Sequence, residues 1–325
     1  MTQPLVETRA LSKDYLLPRE RLSEPRPRLQ ALIEVSLSLT AGRSLGVVGE
    51  SGCGKSTLAR LVTALDRPSA GQVLFDGADL FQLADAKLRR LRRRFQMVFQ
   101  DPYGSLDPRH RVGRSIAEPL RALESGIDRA ETDARIAAAL DEVGLKPGDS
   151  GRYPHEFSGG QRQRIAIARA IVTRPSLVVA DEAVSALDVS VQAQILNLFL
   201  DLQQSHGLTY LFISHDLAVV RHIAQEVAVM YRGRVVESGP TAAVFAKPAH
   251  PYTRSLLDAV PLPDPARRRR GGRAQVQVLD NPLKPPPGCA FAPRCALATA
   301  VCKEQVPELE ALDGAQQTAC FHPLS

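Results

Sequence analysis

Four short apolar runs, at residues 44–48, 177–180, 209–213 and 227–230, have the length of buried strands rather than of helices. Stretches of helical spacing follow several of them, at 55–65, 191–204 and 217–224. Alternating strand and helix predicts an α/β fold with a mainly parallel sheet. The pattern changes between residues 102 and 174. There Ile136, Leu140 and Val143, then Ile165, Ala168 and Ile171, recur at helical intervals with little strand signal. A helical subdomain, at about 101–174, is therefore expected to split the α/β domain. No fixed-period repeat is present, and no apolar run reaches the eighteen residues of a membrane-spanning helix. Residues 1–7 lack the basic and apolar segments of a secretory signal, so the expected location is cytoplasmic.

Composition separates off the end of the chain. Of 325 residues, 24 are proline, and thirteen of these lie from Pro240 onward. The expected domains are therefore residues 1–245 and an irregular extension, 246–325, of different character. A second irregular stretch, 18–28, holds three prolines and reads as an exposed loop or hairpin insert. The net charge of +6 is concentrated in arginine runs at 89–94 and 267–270. Such runs are more often solvated faces than contacts to nucleic acid or anionic lipid. Four of the five cysteines follow residue 288, which composition alone leaves unexplained.

The first strand leads into Gly49-Glu50-Ser51-Gly52-Cys53-Gly54-Lys55-Ser56-Thr57, which satisfies the P-loop pattern G-x-x-x-x-G-K-[ST]. Glycines allow successive N–H groups to curl around phosphates, and the following helix points its positive end at them. Lys55 would place a charge on the β- and γ-phosphates, and the Ser56 hydroxyl would ligate Mg²⁺. Cys53 reads as a small loop residue, not a reactive thiol. The strand at 177–180 ends in Asp181-Glu182, a Walker B arrangement at the edge where parallel sheets bind ligands. Asp181 would hold Mg²⁺ and Glu182 would act as general base toward water.

Phe157-Ser158-Gly159-Gly160-Gln161-Arg162-Gln163-Arg164 resembles the signature motif of ATP-binding cassette (ABC) ATPases, with Phe157 where Leu is usual. The other family elements follow in order. Gln100, after Met97-Val98-Phe99, resembles the Q-loop glutamine, and Ser185-Ala186-Leu187-Asp188 resembles the D-loop. His215 resembles the switch histidine at the γ-phosphate, and Tyr15 the aromatic stacked on adenine. The resemblance implies a P-loop NTPase core that binds ATP and Mg²⁺, with Ser56, Gln100 and Asp181 at the metal. It also implies that Ser158, Gly159, Gly160 and Gln161 serve the ATP held by a second cassette. Ala183 departs from the family, which usually has Pro there, so a less rigid turn is expected.

The extension narrows the resemblance. Ala249-His250-Pro251-Tyr252-Thr253-Arg254-Ser255-Leu256-Leu257 is similar to the segment that follows the cassette in peptide/nickel-type importers, and Val98–Leu106, Ser185–Gln194 and Pro285-Pro286-Pro287-Gly288-Cys289 also match that group. Cys289, Cys295, Cys302 and Cys320 are spaced C-x5-C-x6-C-x17-C, unlike the close pairs of a zinc knuckle. Spacing alone leaves an iron–sulfur cluster, zinc, or free or disulfide-linked thiols open, and His322 is a possible substitute ligand. The resemblance implies a [4Fe–4S] cluster. It further implies an ATPase on the cytoplasmic face of the inner membrane, energising import of di- or oligopeptides. The implied partners are a second, paralogous ATPase, two permease subunits and an extracytoplasmic solute-binding protein, with no nucleic acid. Three alternatives compete: nickel or glutathione as cargo, a soluble mechanoenzyme acting on nucleic acid or ribosomes, and a regulator that binds ATP without turnover.

Overall fold

A computed structural model describes residues 3–19, 25–101, 104–124, 126–260, 286–312 and 314–324. Pro102, Tyr103, Pro285 and the basic run at 267–270 lie outside these. In chain order the elements are β1 (Val6–Leu16), β2 (Arg28–Leu39), β3 (Ser44–Val48), α1 (Lys55–Val62), β4 (Ala70–Phe75), β5 (Ala78–Asp79), α2 (Asp85–Leu91) and β6 (Phe95–Val98). Three helices follow, α3 (Val112–Leu123), α4 (Arg129–Glu142) and α5 (Gly159–Ile171). Next come β7 (Leu177–Asp181), α6 (Val189–His206), β8 (Thr209–Ile213), α7 (Leu217–Ile223), β9 (Glu226–Tyr231) and β10 (Arg234–Pro240). The chain closes with α8 (Thr241–Ala246), α9 (Pro251–Ala259), α10 (Ala300–Glu304), β11 (Glu310–Ala311) and β12 (Gln317–Thr318).

The larger sheet has the order β11-β12-β10-β9-β3-β8-β7-β6, and the five strands from β9 to the edge strand β6 are parallel. Its middle strands are apolar on both faces because both faces are covered. Val178 and Ala180 face one core with Tyr210 and Phe212, together with α3 to α7. Leu177 and Val179 face the other, with Leu58, Leu61 and Val62 of α1. The apolar runs and the helical insertion predicted from sequence are present. The predicted helix at 55–65 stops earlier, at Val62, and Ala64 takes a left-handed φ of 50°.

A second sheet, β2-β1-β4-β5, is wholly antiparallel, and α1 packs between it and the first. The sequence pattern did not reveal β1 and β2. Their register is broken by bulges, with left-handed φ at Ala10 and Glu34, so neither strand keeps a strict alternation. The pairing of β1 with β2 runs to Leu16 opposite Arg28, and residues 20–24 of the expected loop lie outside the described residues.

The extension joins the cassette by strand addition, β12 pairing antiparallel with β10. The junction is fastened at Glu237, a fully buried carboxylate on β10. It accepts hydrogen bonds from the N–H groups of Ala249 (2.7 Å) and His250 (3.0 Å) and from Gln316 Nε2 (2.6 Å). A buried charge is tolerated only when its lone pairs are met in this way.

His250 caps α9, its Nδ1 accepting from Tyr252 N–H at 3.0 Å. Burial pushes its pKa down to about 4. Protonation would also turn the capping acceptor into a donor facing another donor. The unfolded chain, with histidine near 6.5, binds this proton first, so the contribution is complete above pH 6.5 and is lost as pH falls toward 4. The loss amounts to about 3 kcal/mol at most. Thermal midpoints recorded from pH 7 to 4 should fall less steeply for His250→Asn, which keeps a capping acceptor and cannot titrate.

Candidate active site

The phosphate loop begins where buried β3 ends. Gly49 has φ 155°, and a Cβ there would lie 2.2 Å from the Met230 carbonyl oxygen. Gly54 has φ 105°, and a Cβ there would lie 2.3 Å from the Ala31 carbonyl oxygen. Glycine is required at both, by conformation and by space. Gly54 caps α1 without a side chain, and no acidic residue lies in the first turn. The helix start is thus left open to an anion. Lys55 is only 5% exposed, and its ammonium group donates to the carbonyls of Gly49 (2.7 Å) and Glu50 (3.0 Å). Cys53 is buried and burial raises its pKa, in keeping with a space-filling role.

Three neighbouring parallel strands, β6, β7 and β8, deliver the other polar groups from their C-terminal ends. The Ser56 hydroxyl donates to Asp181 Oδ1 at 3.1 Å, and burial raises the Asp181 pKa above the ordinary carboxylate value. Glu182 turns the other way, with a left-handed φ of 50° and its N–H donating to the Ile213 carbonyl. Such a conformation is strained for a non-glycine residue and held by its surroundings. Glu182 Oε2 accepts from Gln100 Nε2 at 3.0 Å and lies 3.2 Å from His215 Nδ1. Gln100, Glu182 and His215 therefore meet at one oxygen. The following turn, at Ala183, is closed by the Ser185 hydroxyl and N–H, both donating to the Glu182 carbonyl.

The remaining sequence-predicted residues have partners of their own. Ser158 caps α5 in a capping box with Gln161, the two side chains serving each other's backbone N–H groups. Gly160 lets α5 pass against Val191, where a Cβ would fall 2.4 Å from Cγ1. Asp188 caps α6, accepting from Val191 N–H at 3.0 Å, and this bond lowers its pKa. The next residue, Val189, is 82% exposed. Tyr15 donates its hydroxyl proton to Asp66 beyond the far end of α1, with the Lys13 ammonium over its ring.

In the extension, Cys289, Cys295, Cys302 and Cys320 line one small cavity with His250, Phe291 and His322. None forms a disulfide, and burial raises the pKa of Cys289 and Cys320. Among the described residues no three His, Cys, Asp or Glu side chains are set to hold a metal ion. His322 Nε2 is hydrogen-bonded to the Thr299 hydroxyl at 2.8 Å. Sequence reasoning missed one pairing of the extended site. Arg294 forms a two-pronged ion pair with Glu50 of the phosphate loop, both contacts 2.9 Å. No local pattern announces a pair separated by 244 positions.

The ABC transporter family profile matches residues 32–185, and that of the oligopeptide/dipeptide transporter C-terminal region matches residues 236–302. The probable peptide ABC transporter ATP-binding protein y4tS of Sinorhizobium fredii is 51% identical, over 98% of this chain and 90% of that protein. The dipeptide transport ATP-binding protein DppF of Escherichia coli K12 is 48% identical, over 99% of this chain and 95% of that one. Among solved structures, the dimeric ATP-binding cassette MJ0796 in a post-hydrolysis state bound to ADP and Pi superposes with a TM-score of 0.64. It is 28% identical and the match covers 73% of this chain and 98% of that one.

Gly49→Ala should push the loop off Met230, destabilise the chain by about 2 kcal/mol and abolish the stabilisation that added nucleotide gives. Gly148→Ala, where a Cβ meets nothing within 4 Å, is the neutral control for the same melting experiment.

Proposed function

The chain belongs to the ABC transporter family, among the ATP-binding subunits of peptide transporters, and on that premise we propose how its residues divide the work. It hydrolyses ATP and energises peptide import, working with membrane permease subunits and a substrate-binding protein. Among the described residues no helix is long and apolar enough to cross a membrane. Attachment through the permeases, on the cytoplasmic face of the inner membrane, follows as the proposed location, and a paralogous cassette as the proposed second ATPase.

The observation that carries the catalytic reading is the meeting of Gln100, Glu182 and His215 at one carboxylate oxygen beside the phosphate loop. Lys55 leaves the loop carbonyls for the β- and γ-phosphates, while the N–H groups of residues 51–57 surround them. Tyr15, its ring fixed through Asp66, stacks on adenine. Ser56, Asp181 and Gln100 would hold Mg²⁺, whose charge would offset that of the phosphates. Water attacks the γ-phosphorus as the bond to the bridging oxygen breaks and ADP takes the electron pair. The water proton passes to Glu182 Oε2, and His215 steadies the γ-phosphate. Residues 158–161 and Asp188 act on the nucleotide of the opposite cassette. A groove of about 610 Å³ beside Gln100, lined by Leu65, Met97, Phe99, Pro119 and Leu123, suits an apolar permease helix.

For the extension, we infer a [4Fe–4S] cluster on Cys289, Cys295, Cys302 and Cys320. The four thiols share one cavity without disulfides, which supports a centre common to all four. Bound there, it would tie the proline-rich tail together as a structural core.

Glu182→Gln should lower turnover at least about a hundredfold and stop uptake of labelled dipeptide while nucleotide still binds. Unchanged turnover would remove Glu182 from the mechanism. Anaerobically purified protein should carry about four iron and four labile sulfide per chain. Stoichiometric zinc, or no metal, would overturn the cluster.

A further inference from the structure

Every polar group of Glu50, the second residue of the phosphate loop, is engaged. Its carbonyl accepts from the Lys55 ammonium at 3.0 Å and from Cys53 N–H at 3.2 Å, both within the loop. The other two engagements come from the extension. Its N–H donates to the Tyr252 hydroxyl at 2.9 Å, and its carboxylate takes both prongs of Arg294 at 2.9 Å. Tyr252 is fully buried near the start of α9. Arg294 directly precedes Cys295, and its guanidinium lies against Tyr231 (5.9 Å) and Phe291 (5.6 Å). Phe291 in turn packs on Tyr252 and His250. The arginine is thus held from behind by an aromatic group before it reaches the loop.

A glycine-rich loop has little stiffness of its own, so its curvature at rest depends on what pins its ends. The far end is pinned by α1. The near end is pinned at Glu50 by two groups of the extension, one of them a planar fork that fixes direction as well as distance. We propose that Arg294, carried on the cysteine loop, is a positioning residue for the phosphate loop and acts through Glu50. The extension thereby sets how tightly the cassette holds nucleotide. This rests on the nucleotide reading of the loop given above.

The test measures ADP affinity of the full-length chain by titration calorimetry, with ATP kinetics of the assembled transporter and melting curves beside it. Wild type should bind ADP, and Arg294→Ala should weaken binding roughly three- to tenfold, the range of a forked, half-exposed ion pair. KM for ATP should rise by the same factor with kcat held within about twofold, a loss of binding shared by ground and transition states. Glu50→Ala, which leaves the extension untouched, should give the same shift. The double variant should be no weaker than either single one, and the exchanged pair Glu50→Arg with Arg294→Glu should recover part of the affinity. Single effects that multiply in the double variant would overturn the proposal. So would Arg294→Ala that lowers the melting point but leaves ADP affinity and KM unchanged. A wild-type chain that binds no ADP would overturn the nucleotide reading itself.

Discussion

Parallel pairing of β3, β8, β7 and β6 is the constraint on which the site depends. In an antiparallel sheet these four strands would end alternately at opposite edges. Here all four end at one edge, so the phosphate loop, His215, Asp181 with Glu182, and Gln100 emerge side by side. The register is held by apolar burial on both faces, since a slip of one residue would exchange the two cores. The geometry of the proposed site is here a by-product of a packing requirement.

Within that edge, unlike groups are separated by backbone direction. Asp181 continues the strand and faces Ser56 on α1, whereas the left-handed turn at Glu182 swings the next carboxylate toward Gln100 and His215. Two adjacent acids thus occupy different surroundings, one against a hydroxyl and one between an amide and an imidazole. The strain at Glu182 is held by its N–H bond to Ile213 and by the side-chain contacts beyond.

What was legible in the sequence follows physical lines. Strands buried on both faces are unbroken apolar runs, so β3, β7, β8 and β9 stood out. The strands β1 and β2 did not, because bulges at Ala10 and Glu34 break the two-residue period and one face is part-exposed. The extension reads as irregular because its order comes from outside itself: β12 leans on β10, and Gln316 on buried Glu237. Its four cysteines were visible as a set, but their common cavity was not.

The sequence by itself determined the phosphate loop and the paired acids. These are local structures, fixed by backbone dihedral limits and short hydrogen-bonded rings that need a given residue type at a given spacing. Tertiary structure decided which of these would meet. It brought Gln100, Glu182 and His215 to one oxygen and carried Arg294 across the chain to Glu50. Those encounters are set by strand order and core packing, which many sequences satisfy, so no short pattern of residues records them.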